Sequence, residues 1–528
     1  MRGSRKAERD GGPGRKTRRE RRRERRCDGR GARERRDARG TEGARAGRGP
    51  GSTGRTHAGG PHTLAYGVTT NHVTGVTRHH ERMVTFTARQ ALDVVSPTNF
   101  VWTNPEVLRR TVETGGANLA GGVTDWWRDL LAGAAGKPPH DGVTFRPGHE
   151  LAVTPGKVVL RNDLIELLQY TPATPTVHAQ PVLIIPSPIL KYYILDLSPA
   201  NSLVRYLVEH GHTVFMLSWR NPDVRDRELG VDHYLRLGIR AAIDAASSIT
   251  GEKLHAAGYC LGGTFLAMLA ASLASHGDDR LASLTLLAAE VDFTEAGELS
   301  IFIDDSQLAY LEDLTWEQGY LDGRQMSGAF TLLNSNDLIW SRIVRQYLMA
   351  EPQKMTDLSA WNADTTRLPH RMHTEYLRNL YLNNDLASGR LRYDGRALAL
   401  ADIRAPIFLV GTERDHVAPW KSVYMLHLYA DADITFCLTS GGHNVGIVNP
   451  PVEGGPARHY RLATKRADDR YIDPDQWLAR NEPQPGSWWP AWQAWLAERS
   501  GERGKPPSMG SPDYAPIGKA PGSYVLMR

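Results

Sequence analysis

Leu254-His255-Ala256-Ala257-Gly258-Tyr259-Cys260-Leu261-Gly262-Gly263-Thr264 is the stretch that decides the fold. A short apolar run ends at Gly258, and an apolar stretch of helical length, Leu261 to Ala274, begins directly after Cys260. The G-x-C-x-G spacing predicts a tight turn from strand to helix, in which flanking glycines let the backbone turn without steric conflict and the central side chain projects into open space. The helix N-terminus behind that side chain favours an anion. A small buried cysteine beside a glycine-rich turn has the same local pattern, so other segments must decide between them.

Two later segments do. An α/β-hydrolase places an acid and then a histidine after its nucleophile, each just past the end of a later strand. Pro406 to Gly411 reads as a buried strand and runs into Thr412-Glu413-Arg414-Asp415-His416. Ile434 to Leu438 reads as the last strand of this kind and is followed by Ser440-Gly441-Gly442-His443. Chain order, strand context and glycine flanks therefore agree on Cys260, Asp415 and His443 as the catalytic set. The Leu261 backbone N–H, which follows the nucleophile, is the expected oxyanion donor. His416 adjoins the acid but lacks a strand-to-glycine lead-in; it and Trp420 are expected to line the substrate pocket.

Cysteine at the elbow, where most such turns carry serine, points to a reaction. An acyl group on sulfur keeps the transfer potential of a thioester, from which a hydrolase gains little. An enzyme that takes acyl groups from one thioester and hands them to an alcohol gains much, because the first exchange is nearly balanced and the second runs downhill.

Here the residues resemble a known family. Gly258-Tyr259-Cys260-Leu261-Gly262-Gly263-Thr264 is similar to the lipase-like box of polyhydroxyalkanoate synthases, especially the class I enzymes. The same family is resembled, in order, by Lys191 to Leu197, Val214 to Pro222, Val291-Asp292-Phe293, Phe302-Ile303-Asp304, Trp361 to Thr366, Tyr376 to Asn379, Asp415 to Trp420, and Gly442-His443 with Asn449-Pro450-Pro451. The resemblance runs from about Phe86 to the C-terminus. Two departures stand out: Leu190 occupies a place where family members usually carry asparagine, and Asn444 follows the histidine where many have an aliphatic residue.

The resemblance implies a poly(3-hydroxyalkanoate) polymerase, an acyltransferase that joins 3-hydroxyacyl-CoA units, with 3-hydroxybutyryl-CoA as the expected short-chain type, into polyester with release of coenzyme A. It implies a homodimer in the cytoplasm, attached to polyester granules, and no cofactor beyond the thioester substrate. Two other readings stay open on the residues: a cysteine-dependent hydrolase or acyl-CoA thioesterase on the same fold, and a non-catalytic granule or nucleic-acid binding protein. His370 and His373 lie at i, i+3, but a metal site needs further ligands and none is expected.

Composition bounds these readings. At 528 residues and 41% hydrophobic content the chain can bury a large core. Its longest apolar run falls well short of the roughly 20 residues of a membrane span. The three cysteines, Cys27, Cys260 and Cys437, form no disulfide framework. Charge is uneven: residues 1–60 hold 21 Lys+Arg against 8 Asp+Glu, whereas the remainder holds 43 against 51. Residues 1–82 therefore read as a disordered Arg/Gly-rich tail, either a polyanion-binding arm or translation from upstream of a true start near Met83. A nucleic-acid partner is not expected for the mildly acidic body.

The expected organisation is that tail, a helical N-terminal domain over 83–155, and an α/β-hydrolase domain over 156–528. The last has a mostly parallel sheet with helices on both faces, and a cap inserted at about 293–404, where the strand rhythm stops. In the N-terminal domain, Val107, Leu108, Val112 and Leu119 supply an apolar side, and Trp126, Trp127, Leu130 and Leu131 form a further cluster. Trp488, Trp492 and Trp495 fall on one face of a C-terminal helix and are expected to pack inward.

Overall fold

The computed structural model describes residues 75–134, 145–326, 328, 339–351, 355–452 and 457–528. The arginine-rich stretch up to residue 74, with Cys27, lies outside them. The main sheet has strands β1 (Gly156–Arg161), β2 (Ile165–Tyr170), β3 (Val182–Ile185), β4 (Val214–Trp219), β5 (Leu254–Tyr259), β6 (Leu281–Leu287), β7 (Ile407–Thr412), β8 (Ile434–Thr439), β9 (His459–Lys465), β10 (Gln484–Pro485) and β11 (Gly518–Lys519). Their order is β10-β9-β8-β7-β6-β5-β3-β4-β2-β1-β11. The six strands from β8 to β4 run parallel. Antiparallel β2, β1 and β11 extend one edge, and antiparallel β9 and β10 the other. Residues of β2 to β8 are buried throughout apart from the first two of β6, which is why these strands read as apolar runs rather than as alternating ones. The order 1-2-4-3-5-6-7-8 with parallel central strands is the α/β-hydrolase sheet.

Each face of the sheet carries its own core. Leu254 and Ala256 of β5 point to a layer that includes Phe265, Leu266 and Leu269 of the helix behind the elbow. Ala257 and Tyr259 point to the other layer, which holds Trp488, Trp489, Trp492 and Trp495. Every tryptophan indole of this C-terminal group donates a hydrogen bond inside the protein, so four large side chains are buried without an orphaned N–H.

Between β6 and β7 lies the expected cap, built of short helices that include Asp305–Gln318, Asp357–Ala363 and the continuous helical run from His370 to Leu382. The N-terminal helices rest on this cap. Helix α1 (Arg78–Val94) begins at Thr77, whose hydroxyl accepts from the His80 N–H at 3.3 Å, so the expected boundary between residues 82 and 83 falls inside it. Phe86 of α1 meets Phe302 edge-on at 5.3 Å. Helices α2 (Pro105–Glu113) and α3 (Ala117–Ala134) follow. On α3 the docking face is the small and polar one: a Cβ on Gly122 would lie 1.7 Å from the Tyr347 carbonyl oxygen. Asn118 Nδ2 donates to the Leu348 carbonyl at 2.7 Å, and the Tyr347 hydroxyl donates to Asp129 at 2.8 Å. The apolar side foreseen for these helices is therefore largely outward: Val107 is buried, but Leu108, Val112, Trp126, Trp127, Leu130 and Leu131 are exposed. Among the described residues no helix is long and apolar enough to cross a membrane.

Candidate active site

Cys260 sits between β5 and α4 (Leu261–Ser275) with φ 53° and ψ −131°, a backbone region that side-chain-bearing residues rarely occupy. The turn is held by the Cys260 N–H donating to the Leu287 carbonyl at 2.9 Å and the Gly263 N–H donating to the Cys260 carbonyl at 2.8 Å. The glycines are required by contact: a Cβ on Gly258 would lie 2.4 Å from Gly263 Cα, and one on Gly262 would lie 2.4 Å from the Pro186 carbonyl oxygen. The Leu261 N–H is the first of α4 and, like every first-turn amide, has no acceptor within its helix.

Asp415 and His443 stand on the loops after β7 and β8, as their strand context requires. The carboxylate of Asp415 accepts four hydrogen bonds: from His443 Nδ1 at 2.9 Å, the Thr412 hydroxyl at 2.9 Å, and the Val417 and Ala418 N–H groups at 2.9 and 2.8 Å. Burial opposes its ionisation, yet the His443 charge and hydrogen bonds from His443, Ala418 and Thr412 prevail and hold the carboxyl below the usual carboxylate range. His443 is the mirror case. Burial disfavours its imidazolium, but the charges of Asp415 and Cys260 and hydrogen bonds to both carry its pKa well above the ordinary value. Imidazole and carboxylate are thus hydrogen-bonded to each other, and the imidazole and the Cys260 sulfur face the same cavity.

The histidine loop is braced from below. Helix α5 (Trp489–Glu498) and the residue before it direct two indoles at that loop: Trp488 Nε1 donates to the Gly446 carbonyl and Trp489 Nε1 to the Ile447 carbonyl, both at 3.0 Å. Tyr259 gives its hydroxyl proton to Asn444 Oδ1 at 2.6 Å, which ties the elbow to the residue after the histidine. The polar Asn444, a departure from the aliphatic residue common at that place, is thereby accounted for.

A cavity of about 670 Å³ opens over the sulfur. Its floor includes Tyr259, Cys260 and His443, and its roof includes Met326, Trp361 and Tyr376 from the cap. The roof is stapled to the loop after β3: Trp361 Nε1 donates to the Lys191 carbonyl at 2.7 Å, the Tyr193 hydroxyl donates to Asp364 at 2.8 Å, and Leu190 pairs by backbone with Thr365. The Lys-Tyr-Tyr and Trp-Asn-Ala-Asp segments, read separately in the sequence, are the two halves of that staple. His416 lines the cavity. Trp420 does not belong to its wall. As first residue of a short helix it turns away, stacks on Phe436 at 6.4 Å and packs over Gly411. Sequence reading missed Glu290, Tyr376 and Tyr381, which line the cavity; a glutamate interrupting the apolar run Leu286-Leu287-Ala288-Ala289-Glu290-Val291 was the available signal for the first.

Fold and geometry together define an α/β-hydrolase-fold enzyme with cysteine in the nucleophile position. Residues 64–207 match the family model described as "Poly-beta-hydroxybutyrate polymerase (PhaC) N-terminus", and residues 190–449 match the alpha/beta hydrolase fold model. The chain is 44% identical to a poly(3-hydroxyalkanoate) polymerase of Methylorubrum extorquens, over 86% of this chain and 75% of that protein. It is 40% identical to the polymerase subunit PhaC of Rhizobium meliloti over 86% and 74%, and 39% identical to that of Cupriavidus necator over 84% and 75%. The chain belongs to the poly(3-hydroxyalkanoate) polymerase family.

Proposed function

We propose that the protein polymerises 3-hydroxyacyl-CoA into polyester through an acyl thioester on Cys260. His443 takes the proton of the Cys260 thiol, and the thiolate attacks the thioester carbonyl of the substrate. The Leu261 N–H stabilises the oxyanion of the tetrahedral intermediate. Collapse breaks the bond to coenzyme A, whose sulfur leaves with the proton from His443. The 3-hydroxyl of another unit, deprotonated by His443, then attacks the acyl-cysteine carbonyl, forms the ester and returns the cysteine.

The observation that carries this reading is the cysteine at the elbow, linked through His443 to Asp415, in a chain of this family. The four hydrogen bonds accepted by Asp415 occupy the four lone-pair sites of a carboxylate. This supports a positioning role for Asp415, which orients His443, over direct activation of the hydroxyl nucleophile. A cap over the thioester supports polymerisation over hydrolysis, because water competes with the next hydroxyl.

The reading extends to a polyester granule in the cytoplasm as the working surface, to a homodimer, and to catalysis without a cofactor. Exposed Trp126, Trp127, Leu130 and Leu131 on α3 support a contact role for that helix.

The test is to incubate the full chain with 3-hydroxybutyryl-CoA and identify the acyl product as coenzyme A is released. Polyester is expected; free 3-hydroxybutyrate as the main product would move the protein to the thioesterases. Cys260→Ala should abolish release, and Cys260→Ser should leave slow hydrolysis with little polymer. Chelator should leave the rate unchanged.

A further inference from the structure

Glu290 lies just past β6, 4% exposed, in the wall of the cavity that holds Cys260. It is the one carboxyl side chain among the described residues of that wall. Its Oε1 is buried and has no hydrogen-bond partner among the described residues. Buried polar atoms are ordinarily paired; one left unpaired beside a nucleophile is explained by a partner that comes with the substrate.

Position favours that partner being on the acyl group. Thr264, one helical turn after Cys260 on α4, donates its hydroxyl to the Glu290 backbone carbonyl at 2.8 Å, which ties Glu290 to the elbow helix, and Glu290 lines the same cavity as Cys260. On an acyl group bound to the Cys260 sulfur, an oxygen at the third carbon lies roughly 4–5 Å from the sulfur by bond lengths alone. The terminal torsion of a glutamate is broad, so either carboxyl oxygen can turn to the cavity at little cost.

The side chain is also in the right state. Burial, reinforced by the negative charge at Asp415, pushes its carboxyl well above the ordinary carboxylate value. The neighbouring Ser422 hydroxyl directs its only proton to the Asp292 carbonyl at 2.5 Å. Toward Glu290 it can therefore only accept, which suits a neutral carboxyl. The remaining carboxyl oxygen is left as an acceptor for a hydroxyl.

We propose that Glu290 determines specificity by accepting a hydrogen bond from the hydroxyl of a 3-hydroxyacyl group carried on Cys260, so that the cavity selects hydroxylated over plain acyl units. The inference rests on the acyl-transfer reading above. Phe293, Tyr376 and Tyr381 line the same cavity and give the pocket shape, while Glu290 supplies its polar recognition.

The test compares wild type, Glu290→Leu and Glu290→Gln in first-turnover release of coenzyme A from 3-hydroxybutyryl-CoA and from butyryl-CoA, with the adduct on Cys260 identified by mass. Wild type should prefer the hydroxylated thioester. Glu290→Leu should lower that preference about 10-fold, the worth of one hydrogen bond, while still forming the butyryl adduct, which shows that it is folded. Glu290→Gln, which keeps an acceptor oxygen, should retain the preference. A Glu290→Leu protein that slows on both thioesters equally, or a Glu290→Gln protein that loses the preference as fully as the leucine variant, overturns the proposal. Failure of wild type to form a Cys260 adduct with either thioester would instead overturn the acyl-transfer reading beneath it.

Discussion

Replacing Gly258 by alanine tests whether the elbow's geometry, rather than its cysteine alone, makes the enzyme. The added Cβ would sit 2.4 Å from Gly263 Cα, 2.8 Å from Gly263 N and 2.9 Å from the Gly262 carbonyl oxygen. Carbon atoms in contact need about 3.5 Å, so β5 and the first turn of α4 must separate by about 1 Å. All three contacts are backbone, and no side chain can rotate away to absorb the shift. Cys260 lies inside the strained segment and moves with it. A displacement of about 1 Å at a reacting group lowers turnover about 100-fold, and overpacking of this kind costs about 1–3 kcal/mol of stability. Release of coenzyme A, followed by thiol titration, measures the first, and urea denaturation the second. Gly133 on α3 serves as control: a Cβ there meets nothing within 4 Å among the described residues, so Gly133→Ala should leave turnover unchanged and stabilise the helix by about 0.5–1 kcal/mol. A Gly258→Ala protein with wild-type turnover would refute the argument that contact across the turn sets the position of the sulfur.

Three further outcomes are expected. Asp415→Asn should lower turnover about 10²–10⁴-fold and weaken the fold in a pH-dependent way. The depressed carboxyl of Asp415 adds stability above its ordinary 3.8 and the raised His443 adds stability below its ordinary 6.5. Wild type should therefore exceed the variant most between those values, with the gap shrinking as pH rises through the His443 pKa or falls through that of Asp415, as read by thermal melts. Trp489→Phe leaves the Ile447 carbonyl without its donor, which should cost about 1–3 kcal/mol in denaturant titration and lower turnover by loosening the His443 loop. Glu290→Gln should show the opposite pH trend in stability: a buried acid with a raised pKa penalises the fold progressively as pH climbs from 4.5 toward its folded-state value. Melts across pH 4 to 8 should thus show the variant gaining on wild type as pH rises.

The hydrolase sheet and the placement of Cys260, Asp415 and His443 were legible in the sequence because both are written in local patterns. Apolar runs gave β5, β7 and β8 nearly to the residue, and the glycine flanks placed Cys260 and His443 on turns. Trp420 misled because a motif preserves neighbours in sequence while the Pro419 corner sends its side chain onto Phe436 and Gly411 of β8 and β7 rather than into the cavity. The outward face of α3 could not be read for a different reason. Apolar periodicity says which side of a helix is greasy, but close helix contact can be made by the small side, as Gly122 does against Tyr347.

What stayed hidden is what depends on residues far apart in the chain. No local pattern joins Trp488 and Trp489 to the carbonyls of Gly446 and Ile447, or Trp361 to Lys191, yet these contacts decide whether the histidine loop and the cap hold still around the sulfur. The division has a physical origin. An elbow needs glycines because the turn itself is crowded, so its signature must lie within a few residues of the nucleophile. A brace needs only a donor that arrives from some other element, and an indole suits the task because it fills the core while offering one N–H. The tryptophan face at 488, 492 and 495 was therefore readable as core, whereas its bonds to the His443 loop, through Trp488 and its off-face neighbour Trp489, became visible only once the helix lay beneath that loop.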